Sequence, residues 1–187
     1  MRAGRTSAPV AQWHAEHQYF GRLLGLLQQE LDKFHRGERP DYELMLDVVA
    51  YLRDYTDCYH HPREDVAFAR LAARCPDLKV DLARLAQEHR VLARAGETLR
   101  GHLEAILVGA LVQRSEVEVA AATYLVYYGN HIAKEEELVL PRAAEMLKPA
   151  DWQAVRSAVK PAADPLFGER PEARFKALRR RIAAAAR

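Results

Sequence analysis

Residues 59–65 read YHHPRED, and they interrupt a stretch in which apolar residues otherwise follow the spacing of a long helix. The stretch contains two adjacent histidines, a proline, and Glu64 four residues after His60. Pro62 has no backbone N–H to donate to the carbonyl one turn earlier, so it predicts a kink at this cluster. We interpret the kink as a device that turns His60 and Glu64 toward the interior.

Glycine and proline residues divide the chain into four long segments and a tail. The breaks fall at 35–41, 74–77, 112–116, 147–151 and 160–172. Within the segments, apolar residues recur at alternating steps of three and four, which places them on one helix face. Because short connections make neighbouring helices antiparallel, the sequence predicts an all-α, up-down-up-down four-helix bundle over residues 1–147. Residues 148–187 are predicted to form a C-terminal helical arm, with a short helix, a loop and a basic amphipathic helix packed on the bundle.

Polar residues occupy positions on these apolar faces where leucine or valine would be expected. They are His17, His60, Glu64, His89, His131 and Glu135. Burying such groups costs several kcal/mol unless a partner compensates. The height of each polar residue can be counted from the nearest break at a rise of about 1.5 Å per residue. Most of the six residues then lie at one height, in one layer of the bundle. Four imidazoles and two carboxylates that converge in an apolar core indicate a metal site.

Two histidine–glutamate pairs share the same spacing, His60 with Glu64 and His131 with Glu135, each four residues apart. This spacing brings the imidazole and the carboxylate of a pair onto one helix face, one turn apart. Two such pairs on two helices can place two carboxylates between two metal ions, with histidines on the outside. Nitrogen and oxygen donors without a thiolate suit iron or manganese better than a structural zinc ion.

The order and spacing of these residues are similar to those of a known family. The matching stretches are AEHQYFGRLLGLL, YHHPRED, LAQEHRVL and HIAKEEELVLP, and the similarity covers residues 10–147. On these motifs the chain resembles the hemerythrin-like, or HHE cation-binding, family. The resemblance implies two non-haem iron ions bridged by carboxylate and oxo groups. Glu64 and Glu135 would be the bridging carboxylates, and the outer ligands would be His17, His60, His89 and His131.

The chain departs from the oxygen-carrying members of that family at two positions. Those proteins take two ligands from the third helix, four residues apart, whereas the residue four before His89 is Leu85. They also place the last carboxylate five residues after the fourth-helix histidine, which here is Glu136, so Glu135 and Glu136 both stay open. The missing ligand could come from His61, His14, Tyr59 or water. A centre with fewer protein donors is more open and more reactive.

The composition limits the classes of protein to consider. The chain has 187 residues and a net charge of +2, which does not indicate a nucleic-acid-binding protein. It contains no apolar run long enough to span a bilayer and no signal-peptide pattern at its N-terminus. Cys58 and Cys75 lack CxxC spacing and indicate reduced thiols, with Cys58 as a packing residue. We therefore expect a cytoplasmic protein without a membrane-spanning segment.

These observations lead to two functional hypotheses from different classes. The first is a metal-binding protein whose two irons bind or sense oxygen, nitric oxide or peroxide, or buffer iron. The alternative is a di-iron enzyme that acts on peroxide or nitric oxide. The expected partner is a small diatomic ligand or peroxide, and a homodimer is also considered. A third hypothesis treats the histidines as a vestigial metal trap in a structural bundle.

Overall fold

The computed structural model describes residues 8–160, 162–169 and 172–185, and these residues contain helices and no strand. The predicted all-α class is therefore confirmed. The α-helices are α1 (Ala8–His35), α2 (Tyr42–Tyr51), α3 (His61–Arg74), α4 (Lys79–Leu107), α5 (Arg114–Lys134), α6 (Leu140–Met146), α7 (Pro149–Ala158) and α8 (Lys176–Ala185). The first π-helix (Leu52–His60) joins α2 to α3, and the second π-helix (Glu135–Val139) joins α5 to α6. Within the described ranges, no helix combines the length and the apolar character needed to cross a membrane.

Local sequence signals explain where the long segments begin and end. Gly37 follows α1 with a φ of 79°, a conformation that glycine adopts without steric cost. The side chain of Asp41 accepts a hydrogen bond from the backbone N–H of Leu44 and caps α2. α4 ends before Gly109, whose φ is 83°. The linker therefore covers 108–113, and the predicted break at 112–116 was placed too late because Gly109 was not recognised as the terminating residue.

The apolar core consists of two clusters, and every long segment contributes to both. The first cluster includes Phe20, Leu27, Val48, Leu52, Leu92, Leu99, Val117 and Tyr124. The second cluster includes Trp13, Phe68, Leu71, Leu82, Leu85, Val139 and Leu140. Along the chain, the first and third segments run from the second cluster to the first, and the other two segments run the opposite way. The buried histidines and glutamates lie where the segments pass between the clusters.

Packing between the long segments closes a ring. α1 contacts α2 and α5, while α4 contacts both of these helices as well. Toward the second cluster, α3 packs against α4 and α6, and α6 also reaches α1. Each segment therefore has a neighbour on both sides, which encloses the polar layer and shields it from water.

The C-terminal arm lies against the first cluster. Phe175, Leu178 and Ile182, spaced three and four apart, are all buried there. The hydroxyl of Tyr51 donates a hydrogen bond to Asp164 over 3.0 Å, which fixes the loop that precedes α8. The boundary at residue 147 stays a prediction. The prediction that Cys58 is a packing residue is wrong, because its side chain is exposed on the outer face of the first π-helix.

Candidate metal centre

Two π-helices shape the backbone at the two histidine–glutamate pairs. The first ends at His60, where the N–H of His61 donates to the carbonyl five residues earlier, and the second begins at Glu135. Each is followed closely by a proline, Pro62 or Pro141, which leaves a carbonyl one turn earlier without its usual donor. The irregularity predicted at Pro62 is therefore a widened π-turn, a form that occurs frequently at functional sites.

Three buried residues form the first candidate cation position: His17 from α1, His60 at the end of the first π-helix, and Glu64 from α3. The Nε2 atoms of His17 and His60 are 3.1 Å apart. Oε1 of Glu64 lies 3.3 Å from His17 Nε2 and 3.0 Å from His60 Nε2. Donors that each lie about 2.1 Å from one ion are separated by about 3.0–3.4 Å, so these three atoms can share a cation.

The second candidate position is formed by His61, His89 and His131 together with the same Glu64. One donor atom from each of these residues lies within 4.8 Å of the others. The rings of His61 and His89 are stacked at 4.1 Å between centroids. His61 is buried to 4% exposure, although it follows the equally buried His60 directly in sequence. The first π-helix thus brings two adjacent histidines to two different cation positions.

Glu135 provides the second carboxylate that touches both positions. Its Oε2 lies 3.5 Å from Nε2 of His17, and its Oε1 lies 3.1 Å from Nε2 of His131 and 3.5 Å from Nε2 of His89. Glu64 spans the positions in the same way, because its Oε2 lies 3.5 Å from His89 Nε2. The site therefore has two carboxylates in the middle, two imidazoles on one side and three on the other.

Several buried polar atoms at the centre lack the partners that burial normally requires. They are Oε1 and Oε2 of Glu64, Oε1 of Glu135, and Nε2 of His89 and His131. None of these atoms forms an aligned hydrogen bond with any residue that the structure describes. Buried donors and acceptors are nearly always satisfied, so these lone pairs need a partner of another kind. Metal ions fit this requirement, because every one of these atoms is a metal donor.

A carboxylate lies near the outer ring nitrogen, Nδ1, of each of the five histidines. Four of the pairs are hydrogen-bonded: His17 with Glu136 at 2.7 Å, His60 with Glu16 at 2.5 Å, His89 with Asp65 at 2.9 Å, and His131 with Glu88 at 3.2 Å. Nδ1 of His61 lies 3.2 Å from Asp57, whose two oxygens form no aligned hydrogen bond with the described residues. A carboxylate bonded at Nδ1 holds the proton there and leaves Nε2 as the ligand, as in metal sites generally. Four of the five rings are thus prepared to bind on their inner side.

The histidines differ in how readily they present a neutral ring. Burial lowers the pKa of His17, but the neighbouring carboxylates of Glu136 and Glu64 outweigh burial and raise this pKa to about 10. The pKa of His89 is also raised to about 10, where burial is again opposed by carboxylates. Burial and the nearby charge of His89 hold the pKa of His61 well below its usual value. A cation therefore has to displace protons from His17 and His89 but not from His61.

Three further residues proposed from the sequence lie outside the cluster of Nε2 and carboxylate atoms. Glu136 contacts His17 from its outer side, and its other oxygen contacts His14, whose side chain is 54% exposed. The ring of Tyr59 lies under the guanidinium group of Arg63 at 4.0 Å from its centroid. Around the first position the walls are aromatic, since Phe20 packs at 5.0 Å from the ring of His60.

Sequence reasoning did not identify four of the outer carboxylates. Glu16 and Glu88 each precede a centre histidine in sequence, and Asp65 follows Glu64. These three carboxylates bond a histidine of a different helix rather than their sequence neighbour. An acidic residue directly beside His17, Glu64 and His89 was the available signal, but the partner of each depends on how the helices pack.

The fold and the centre together define a helical protein with a buried cluster of histidine and glutamate whose donor atoms form two groups that could each hold a cation. A family model described as the Hemerythrin HHE cation binding domain matches residues 8–143. The chain belongs to this family, which confirms the resemblance seen in the motifs. No curated protein and no solved structure shows significant similarity to the chain.

Proposed function

We propose that the protein binds two iron ions as a non-haem di-iron centre and uses them to bind a small ligand. The observation that carries this proposal is the group of buried, unpartnered nitrogen and oxygen donors, divided into two positions by two shared carboxylates. The donor set of histidine and carboxylate without thiolate supports iron over a structural zinc ion. His17 and His60 would hold one iron, His61, His89 and His131 the other, with Glu64, Glu135 and an oxo group as bridges.

We also propose that the four long segments form an up-down-up-down bundle. The alternating passage of the segments between the two core clusters supports this topology. A bundle of this kind surrounds its central layer with side chains from all four segments. The layer contains ligands from each of them, so the topology explains why residues distant in sequence converge.

His61 takes the place of the ligand that the oxygen carriers draw from the position of Leu85. We expect His61→Gln to weaken the affinity for one of the two cations by more than about tenfold, because the second position then keeps two imidazoles instead of three. Adding Leu85→His to this variant is expected to restore that affinity, since Leu85 is buried one turn before His89. Competition with a chelator measures both affinities, with His102→Gln as the matched control. Two unchanged affinities in His61→Gln would exclude His61 as a ligand.

The two sides of the centre differ in their number of protein donors. The side of His17 and His60 has two imidazoles and two shared carboxylates, so an iron there keeps coordination positions for a small molecule. When bound, iron supplies a Lewis acid and a one-electron redox couple. The surrounding rings of Trp13 and Phe20, together with the burial of both histidines, exclude bulk water from this side. These properties favour oxygen, nitric oxide, peroxide or a small anion as the ligand.

Titration of the iron-loaded protein with azide and with nitric oxide tests this function. We expect a saturable change in the visible spectrum with one ligand per chain, because only one side has open positions. Adding excess peroxide distinguishes the alternative, a di-iron enzyme. Sustained conversion of many equivalents would assign catalysis, whereas a single binding event would assign binding or sensing. No spectral change with any of these ligands would leave iron buffering as the function. A cytoplasmic location and a homodimer stay predictions from the sequence.

A further inference from the structure

Arg63 and Glu16 form a buried ion pair on the outer side of His60. Nη2 of Arg63 donates a hydrogen bond to Oε2 of Glu16 over 2.7 Å, and Nδ1 of His60 donates one to the same oxygen over 2.5 Å. The side chains of Arg63 and Glu16 are each only 8% exposed. One carboxylate oxygen therefore connects a fixed positive charge to an imidazole of the centre.

Further contacts hold both members of this ion pair in place. The side-chain amide of Gln12 donates to the other oxygen of Glu16, Oε1, over 2.8 Å. Nε of Arg63 donates to the backbone carbonyl of Tyr59 over 3.2 Å, and its guanidinium group lies 4.0 Å from the centroid of the Tyr59 ring. Neither Glu16 nor Arg63 can turn away from His60 without breaking several of these contacts.

The Arg63–Glu16 pair is more deeply buried than the charged groups at two other histidines of the centre. Asp65, which bonds Nδ1 of His89, is 45% exposed, and no lysine or arginine among the described residues pairs with it. Glu88 is paired with Lys134, but this lysine is 42% exposed. Water screens exposed charges, whereas charges in the interior act at close to full strength. The balance of charge within the Arg63–Glu16 pair therefore acts strongly on the centre.

The charge on Glu16 determines how strongly His60 donates electrons to a cation. A carboxylate that pulls on the proton of Nδ1 makes the ring more basic, and a more basic ligand favours ferric over ferrous iron. Arg63 shares the charge of Glu16 through a charge-assisted hydrogen bond, so the carboxylate pulls less on this proton. The positive charge of Arg63 also opposes the additional positive charge of the ferric state. Both effects favour ferrous iron.

We propose that Arg63 is a positioning residue that acts through Glu16 and His60 to raise the reduction potential of the iron on the side of His17 and His60. The inference rests on the proposed di-iron function, because a potential exists only if iron is bound. The couple is the one-electron reduction of a ferric to a ferrous ion by an external reductant. The proton stays on Nδ1 of His60 in both states, and no bond within the protein forms or breaks.

Potentiometric titration of the iron-loaded, full-length protein tests the proposal, with the visible spectrum as the readout. Arg63→Met keeps a long side chain but removes the charge. It is expected to favour the ferric state about tenfold, which corresponds to a fall of about 59 mV in a one-electron midpoint potential. Arg63→Lys keeps the charge and loses the bond from Nε to Tyr59, so its potentials should stay near those of the unsubstituted protein. Arg70→Met is the matched control, because Arg70 contacts Asp151 rather than the centre.

Glu16→Gln is expected to shift the potential in the opposite direction. A neutral amide pulls less on the proton of His60, so the potential should rise, and this variant decides the test if Arg63→Met does not fold. A residue that merely supports the fold would not produce shifts of opposite sign. Unchanged potentials in all variants, or equal falls in Arg63→Met and Arg63→Lys, would overturn the inference while leaving the di-iron centre in place. Failure of the unsubstituted protein to hold iron would instead refute the proposed function, so the two failures are distinguishable.

Discussion

Glu64→Gln is expected to remove both cations from the protein at once. Both oxygens of Glu64 are fully buried, and they reach histidines on both sides of the centre. Glutamine keeps the shape of the side chain but removes the negative charge and offers an N–H where a lone pair is needed. Loss of a residue that merely orients a ligand weakens metal binding by about 10–100-fold, so loss of a shared ligand should exceed that range.

The measurement is the cation content per chain after desalting, with circular dichroism as the check on folding. Glu145→Gln, an exposed substitution on α6, is the matched control and should keep two cations. Glu135→Gln is expected to behave like Glu64→Gln. Glu136→Gln should keep both cations with about tenfold weaker affinity, because it acts through the outer nitrogen of His17. If Glu136→Gln lost both cations while Glu135→Gln kept them, the assignment of the bridging carboxylates would be contradicted.

The second large effect concerns thermal stability. The centre buries charged and polar groups whose cost is offset only when a cation satisfies them. A cation at 100 times its Kd stabilises the fold by about 2.7 kcal/mol per site. For a chain of this size each kcal/mol raises Tm by about 2–4 °C, so filling both positions should raise Tm by about 10–20 °C. Differential scanning calorimetry with and without a chelator measures this difference.

A double substitution, His60→Leu with His131→Leu, separates the rise in Tm caused by cation binding from stability that comes from side-chain packing. Both residues are buried to 1% exposure, and leucine fits an apolar core without needing a polar partner. The variant is expected to show no response of Tm to added cation, and its cation-free Tm should fall, because the buried carboxylates of Glu64 and Glu135 lose their partners. If added cation leaves the Tm of the unsubstituted protein unchanged, the histidines are a vestigial trap and the metal-linked stability is refuted.

The helical class and the convergence of the six polar residues were accessible from the sequence because they depend on spacing. His17, His60, His89 and His131 interrupt apolar faces with a period of three or four, which is a local and readable pattern. The same geometry explains the different places of Glu135 and Glu136, since adjacent residues on a helix differ by about 100° in direction.

The sequence left His61, His14, Tyr59 and water as candidates for the missing ligand and could not choose among them, since adjacent residues of a regular helix do not both face one layer. Pro62 marked the place of the irregularity, but its form, a π-helix that begins ten residues earlier at Leu52, depends on packing against α4. The outer carboxylates pose the same difficulty. Glu16 bonds His60 rather than its neighbour His17, and this choice is made by the register between helices.

Iron analysis with an optical spectrum on protein purified aerobically without added metal tests the central claim most directly. The account predicts two irons per chain with near-ultraviolet bands of an oxo bridge, and the loss of both in His60→Ala/Glu135→Ala. A protein that contains no iron under these conditions, or a variant that keeps the iron and the bands, would contradict the assignment of these residues as ligands of a di-iron centre.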